Sequence, residues 1–174
     1  MKLVYYPDEF LSKKVNSVNI DNVDFNPVDL KNEMVEFMLS NNGIGLSANQ
    51  IGLDAQLFAM GDSEENSSLL INPTVLQHTE ETVIDLEGCL SFPNVFVQVK
   101  RPKEILVEYY DENLEIKRTH LKDYSVKVFL HEWDHLQGIT FNDRVSPLKW
   151  KMAKKKGYKM NKNLHGKGFC ECCE

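Results

Sequence analysis

His131-Glu132-Trp133-Asp134-His135 places two histidines four residues apart, with a glutamate between them. On an α-helix, residues at this spacing lie on one face, so two imidazoles can hold one metal ion while Glu132 acts as a base. A five-residue match also arises by chance, and a helical histidine can instead be a hydrogen-bonded core residue. The surrounding sequence has to distinguish these two interpretations.

The flanking residues predict a helix around this stretch. Asp123 or Ser125 is suited to its N-terminus, and Gly138 is suited to its end. Burying two imidazoles and a carboxylate demands a partner for each, and one divalent cation would satisfy them together. A largely buried helix with one polar stripe is indicated by the apolar residues that recur around it: Val126, Phe129, Leu130, Trp133 and Leu136.

A metal centre of the catalytic zinc type takes three protein ligands and a water, so a third ligand is required. Cys89 offers a thiolate, and the preceding Gly88 permits a close backbone approach. The alternative for Cys89 is burial as a small apolar residue, which is common for free cysteines. Asp143, downstream of the helix, is another candidate. Surface positions are predicted for the remaining histidines, His78, His120 and His165.

Small residues dominate Gly43-Ile44-Gly45-Leu46-Ser47-Ala48-Asn49-Gln50. Such a segment is typical of a backbone that passes close to a ligand or another segment, although a helix end followed by a turn is the alternative. In this order, the segment, Glu87-Gly88-Cys89-Leu90-Ser91 and the His-Glu-x-x-His helix resemble the three hallmark motifs of the peptide deformylases. Tyr6-Pro7-Asp8, Arg101-Pro102 and Ser146-Pro147-Leu148-Lys149 extend the resemblance over most of residues 3 to 150.

The resemblance implies the fold and the metal site. The expected fold class is α+β, peptide deformylase-like, with antiparallel strands wrapped around a central metal-binding helix. The expected ligands are Cys89, His131 and His135, around one divalent metal ion. Relatives commonly use Fe(II), and Zn, Ni or Co can bind to the same ligands. The types of ligand do not select one of these metals.

The resemblance also implies the reaction, which is removal of the formyl group from the N-terminal formylmethionine of nascent polypeptides with release of formate. Glu132 would transfer protons, and the oxyanion would be stabilised by the Gln50 side-chain amide and the Leu90 backbone N–H. Two further classes stay open. The chain could be a different metal-dependent amide or peptide hydrolase, or a catalytically silent, metal-stabilised relative.

Further positions match the family with less specific roles. Ile44, Gly45 and Val128 match the substrate groove and methionine pocket, although Ile44 and Val128 could equally be ordinary core residues. Glu87 and Arg101 match an acid and a base that support the metal site, and the alternative is a plain ion pair.

Three residues depart from the family pattern. Ser47 stands where alanine is usual, which adds a hydroxyl beside the site, and Leu130 replaces a common glutamine. Asp85 occupies a position where relatives often carry an apolar pocket residue. The side-chain preference of the methionine pocket is therefore expected to differ.

Composition predicts a cytoplasmic, monomeric enzyme. The 174 residues, 42% hydrophobic, are sufficient for one catalytic domain over residues 1–160, followed by a flexible cysteine-containing tail over residues 161–174. No disulfide, signal peptide or membrane-spanning segment is expected. The net charge of −6 argues against DNA binding.

The segment from Lys149 to Lys167 is locally basic. A solvated helix explains it, with Ser146 and Pro147 at the start and lysines preceding Gly157 at the end. Ribosome docking is the alternative, because the resemblance implies a ribosome contact by the C-terminal helix.

The remaining pattern is mixed. Asn26 and Pro27 open a helix that ends at residues 41–43, and residues 111–113 suggest a hairpin turn. Short β-rich stretches predict strands over residues 55–60, 68–72, 82–86, 95–99, 104–110 and 114–120.

Overall fold

The secondary structure alternates between short strands and a few helices. A computed structural model describes the backbone of residues 1–165 and the side chains of residues 1–157. In that part of the chain there are three α-helices: α1 (Pro27–Ser40), α2 (Tyr124–Leu136) and α3 (Pro147–His165). The same residues form seven strands: β1 (Gly45–Ser47), β2 (Leu57–Met60), β3 (Ser68–His78), β4 (Thr82–Cys89), β5 (Phe92–Pro102), β6 (Glu104–Tyr110) and β7 (Ile116–Lys122).

The strands form two separate antiparallel sheets. One sheet has the order β1-β2-β3-β6-β7, and the other is the hairpin of β4 and β5. Side chains alternate across the first sheet, because successive residues of a strand point to opposite faces. Leu57 and Ala59 of β2 therefore join the cluster under α1, whereas Phe58 joins the cluster under α2.

Helix α2 is the central element. Its residues contact β1, β2, β5 and β7, so it lies between the two sheets. Phe129 and Leu136, both fully buried, pack on the five-stranded sheet. These contacts confirm the predicted α+β class with antiparallel strands around a central helix. No helix in the described part of the chain is long and apolar enough to span a membrane.

Local capping signals are confirmed for α1 and corrected for α2. The Asn26 side chain accepts hydrogen bonds from the backbone of Val28 and Asp29, as an N-cap residue does. Asp123 occupies the N-cap position of α2, but its side chain makes no capping hydrogen bond. Gly138 follows the helix with a positive φ of 71°, a conformation that glycine adopts readily.

Two elements differ from the prediction. Strand β1 lies in the small-residue segment, for which the sequence predicted no strand, yet its three residues pair with β2. Helix α3 does not end at Gly157 but continues to His165. Gly157 is instead required for packing, because an added Cβ would lie 2.5 Å from the Asn94 carbonyl oxygen. Residues 166–174, which include most of the expected tail, lie outside the described residues.

Gly157→Ala is expected to destabilise the protein by about 1–3 kcal/mol, because the methyl group forces α3 away from the β4–β5 hairpin. Helix propensity alone predicts that the same change would raise the free energy of unfolding by nearly 1 kcal/mol. The sign of the measured change therefore distinguishes the two effects. Urea denaturation of wild type, Gly157→Ala and the exposed control Lys156→Ala measures it. An increase in stability for Gly157→Ala would contradict the packing role.

Candidate active site

The polar stripe of α2 faces the end of strand β4. His131 and His135 are both buried, and the ligand atoms of Cys89, His131 and His135 lie within 4.8 Å of one another. The Cys89 Sγ lies 3.2 Å from Nε2 of His135. The structure thus brings the helix and the cysteine segment together as the sequence predicted.

These three side chains fit a divalent metal ion. Donors bound to one ion at roughly 2.0–2.3 Å are themselves separated by a little over 3 Å, as the sulfur and Nε2 are here. Nδ1 of His131 is held at 2.9 Å by Glu87 Oε2, which leaves Nε2 of His131 for the centre of the cluster. A carboxylate on the outer nitrogen of a ligand histidine is the usual support for a bound metal.

The pKa values of the two buried imidazoles are shifted in opposite directions. Burial lowers the pKa of His131, but hydrogen bonds to Cys89 and Glu87 outweigh it and raise that pKa well above its ordinary value. Burial and the neighbouring His131 charge hold the pKa of His135 well below its ordinary value. A ligand imidazole is neutral, so a cation bound at this point would take the place of the proton that His131 otherwise holds.

Glu132 is a buried carboxylate with free hydrogen-bonding capacity. Its Oε2 has no hydrogen-bond partner, and burial raises its pKa to about 7. The carboxylate lies directly against Gly45, where an added Cβ would come within 2.3 Å of Oε1. Gly45 is therefore needed for the position of Glu132, in addition to its expected place in the groove.

Gln50 is held in one orientation. Its Oε1 accepts hydrogen bonds from the Ser47 backbone at 2.9 Å and from the Ser47 hydroxyl at 3.0 Å. Its Nε2 therefore points the other way, 3.3 Å from Cys89 Sγ and 3.1 Å from Ser91 Oγ. The unusual Ser47 hydroxyl, which also lies 2.9 Å from Asn49 Oδ1, thus contributes to the orientation of the amide.

A buried ionic network behind His131 consists of Glu87, Arg101 and Asp134, and the more exposed Arg144 joins it from the surface. Arg101 donates from Nε to Glu87 at 2.8 Å and from Nη1 to Asp134 at 2.6 Å. Arg144 also binds Asp134, with Nε at 2.9 Å from Oδ2. The pKa of Glu87 falls to about 2, because its bonds to His131 and Arg101 outweigh the effect of burial. Glu87 is thereby fixed as a carboxylate that orients His131.

The site opens into a cleft of about 720 Å³. Its walls come from the β1 segment, from β4 and from α2, so a bound chain would lie between the two sheets. The cleft is lined by the expected binding residues Ile44, Gly45, Leu90 and Val128. Val128 is buried and Ile44 is partly buried.

Several predicted residues are placed elsewhere, as the sequence suggested. Asp143 accepts a hydrogen bond from the Thr140 backbone in a capping box and is not part of the cluster. His78 and His120 are exposed, and His165 lies where side chains are not described.

Sequence reasoning missed three supporting residues. Asn49 donates to the His135 carbonyl at 2.6 Å, and Ser91 accepts from Gln50. Asn49 and Ser91 lie inside motifs already recognised, so their burial was the missing information. Arg144 gave no signal, because its partner Asp134 is ten residues away across a turn.

An α+β fold with a cysteine and two histidines around a helical glutamate defines a metal-dependent hydrolase of the His-Glu-x-x-His type. Comparison with known proteins narrows this class. The family model described as polypeptide deformylase matches residues 1–151. The chain belongs to the peptide deformylase family.

Individual relatives agree with this assignment. The peptide deformylase of Pseudothermotoga lettingae is 41% identical over 138 residues, covering 79% of this chain and 78% of the relative. The crystal structure of the Thermotoga maritima peptide deformylase aligns with a TM-score of 0.78 at 36% identity, covering 84% of this chain and 97% of that one. The Synechococcus elongatus enzyme in complex with actinonin aligns with a TM-score of 0.81 at 34% identity, covering 90% and 86%.

Arg101→Ala is expected to destabilise the protein by about 3–5 kcal/mol, because it leaves Glu87 and Asp134 buried without their shared partner. Looser orientation of His131 should also weaken metal affinity by about 10- to 100-fold. Urea denaturation and competition with a chromogenic chelator measure the two effects.

Arg118→Ala is the matched control. Arg118 pairs with Glu108 on the surface with 70% of its side chain exposed, so its loss should cost less than about 1 kcal/mol. If Arg101→Ala and Arg118→Ala lowered the free energy of unfolding equally and metal affinity did not change, Arg101 would act only as an ordinary ion-pair partner.

Proposed function

We propose that this protein hydrolyses the N-formyl group of formylmethionyl nascent polypeptides, releasing formate and a free amino terminus. The observation that carries the proposal is Glu132, a buried carboxylate with an unpaired oxygen beside the Cys-His-His cluster, at the base of an open cleft. Such a group can accept and return a proton at neutral pH. Membership of the peptide deformylase family supplies the substrate class.

Cys89, His131 and His135 are proposed as the ligands of one divalent metal ion. Such an ion supplies Lewis acidity, which lowers the pKa of a water and polarises a substrate carbonyl. We propose Fe(II) as the native metal, as in the family, and Ni, Co and Zn fit the same donor set. Metal analysis of anaerobically purified protein identifies the ion.

Glu132 is proposed to move the protons. Its carboxylate takes a proton from the attacking water and returns it to the leaving amine nitrogen. A pKa of about 7 matches both halves of this task, because the group must be a base first and an acid afterwards. Gly45 supports the role by leaving room for the carboxylate in the cleft wall.

Gln50 and Leu90 are proposed to stabilise the tetrahedral oxyanion. The Gln50 amide has its oxygen occupied by Ser47, so its nitrogen is the end offered to the reaction centre. Leu90 follows Cys89 directly and lines the same cleft, and its backbone N–H is proposed as the second donor. Donors fixed before reaction stabilise developing charge without reorganisation.

Ile44, Gly45 and Val128 are proposed to hold the substrate. All three line the cleft, Ile44 and Gly45 from the β1 segment and Val128 from α2, so the first side chain of a peptide would pack between these two elements. Glu87 is proposed to position His131, and Arg101 is proposed to hold Glu87 in place.

Glu132→Gln is expected to lower kcat for formate release from a formyl-Met-Ala-Ser peptide by about 10²–10⁴-fold, because the amide cannot take the proton from water. Wild type and variant are loaded anaerobically with Fe(II) or Ni(II), and their metal contents are matched first. Glu36→Gln, an exposed change on α1, serves as the control and should leave the rate unchanged.

The same assay separates the alternatives. Release of acetate from the acetylated peptide at a comparable rate would indicate a different amide hydrolase. Absence of turnover from fully metallated wild type would indicate a silent, metal-stabilised relative. Undiminished activity of Glu132→Gln would contradict the proposed role of Glu132.

Ribosome docking by α3 stays a prediction, supported by exposed lysines on its surface, including Lys149, Lys151 and Lys155. Because phosphate contacts release counterions, co-sedimentation with ribosomes should weaken steeply as salt rises. Salt-insensitive binding, or none, would contradict it. A cytoplasmic location, a monomeric state and a catalytic domain ending near residue 160 likewise remain predictions.

A further inference from the structure

A charged pair stands at the edge of the cleft, where Lys127 lines it next to Val128, and it has no part in the chemistry described above. Lys127 lies on α2, one turn before His131, and Asp85 lies on β4. The lysine Nζ is 2.6 Å from Asp85 Oδ2 and 3.4 Å from the Leu86 carbonyl oxygen. The pair therefore ties the two walls of the cleft together at one end.

Three groups contact the Lys127 ammonium. Its Nζ also lies 4.2 Å from the centroid of the Tyr124 ring, within the range of a cation–π contact. Only 16% of the lysine side chain is exposed, compared with 54% of Asp85. The hydrogen bond from Lys127 holds the pKa of Asp85 below its ordinary value, so the carboxylate stays ionised at neutral pH.

The location connects the pair with the substrate. The Lys, Arg, Asp and Glu side chains that line the cleft, among the described residues, are Glu87, Lys127 and Glu132. Glu87 is engaged by Arg101 and His131, and Glu132 has the proposed role in proton transfer. Lys127 and its neighbours Leu86, Tyr124 and Val128 form the cleft surface beyond these groups.

We propose that the Asp85–Lys127 ion pair fixes the outer wall of the pocket for the substrate's first side chain and thereby selects which side chains the enzyme accepts. This inference rests on the proposed function. Because the ammonium and carboxylate satisfy each other, the wall offers the lysine methylenes to the pocket, and these suit an unbranched apolar side chain. The tie between α2 and β4 prevents the wall from opening for a wide aromatic ring.

Lys127→Met tests the proposal by removing the charge while keeping the length of the side chain, and Asp85→Asn removes the partner charge. The measurement is the ratio of kcat/KM for formyl-Met-Ala-Ser to kcat/KM for formyl-Phe-Ala-Ser. Both variants should lower this ratio by about tenfold, since the aromatic substrate gains access. Lys127→Arg, which retains the ion pair, should keep the ratio within about threefold of wild type.

Lys103→Met is the matched control, because Lys103 pairs with Glu81 at an exposed site away from the cleft lining. Its ratio should equal that of wild type. Thermal melting confirms that each variant is folded, and Asp85→Asn decides the test if Lys127→Met does not fold. A ratio in the folded variants within about twofold of wild type would overturn the proposal.

A binding experiment separates this inference from the proposed function. In a metal-loaded Glu132→Gln background, calorimetry gives Kd for the two formyl peptides with and without Lys127→Met. If wild type hydrolyses neither peptide but Lys127→Met still narrows the gap between the Kd values, the proposed function fails and the selectivity role stands. The selectivity role is overturned if the ratio of the two Kd values is the same with and without Lys127→Met. It is also overturned if neither peptide binds.

Discussion

The burial of charge along α2 is the constraint on which the rest of the structure depends. A helix that turns two imidazoles and two carboxylates into a protein interior needs partners for most of these groups, and Glu132 Oε2 and His135 Nδ1 are the two buried side-chain atoms left without one among the described residues. Arg101 meets much of this demand, because one guanidinium serves Glu87 and Asp134 together. The fork of an arginine suits this geometry, whereas a lysine offers a point charge in place of two parallel donors.

Several features of the fold follow from that arrangement. Arg101 belongs to β5, so the ion network docks the hairpin against α2 and delivers Cys89 to the histidines. Gly45 keeps β1 close enough to cover Glu132, and Ser47 in the same strand orients Gln50. Each wall of the cleft therefore contributes its own part of the chemistry. The Cys-His-His cluster comes from the hairpin and α2, and the residues that orient Gln50 come from β1 and the turn after it.

The sequence predicted the parts that depend on local periodicity. The four-residue spacing of His131 and His135 predicts that they share one helix face. Capping residues predict the start of α1 at Asn26-Pro27, and residue alternation predicts the strand over residues 104–110. Cys89 came from family resemblance, because its approach to the histidines is a property of the topology. The partnership of Asp134 with Arg144, the pairing of β1 and the close contact at Gly157 depend on which surfaces meet. No spacing rule contains that information.

The two sheets have a consequence for how the site responds to loss of its ligand. Cys89 is carried by the β4–β5 hairpin and the histidines by a helix anchored on the other sheet, so the cluster spans a boundary between two packing units. Any ion that binds across this boundary adds its binding free energy to the docking of the hairpin. Amide protons of β4 and β5 would then exchange more slowly in the loaded protein, while those of β3 and β6 would change little. Binding of an ion at the site and docking of the β4–β5 hairpin are therefore thermodynamically coupled in this architecture.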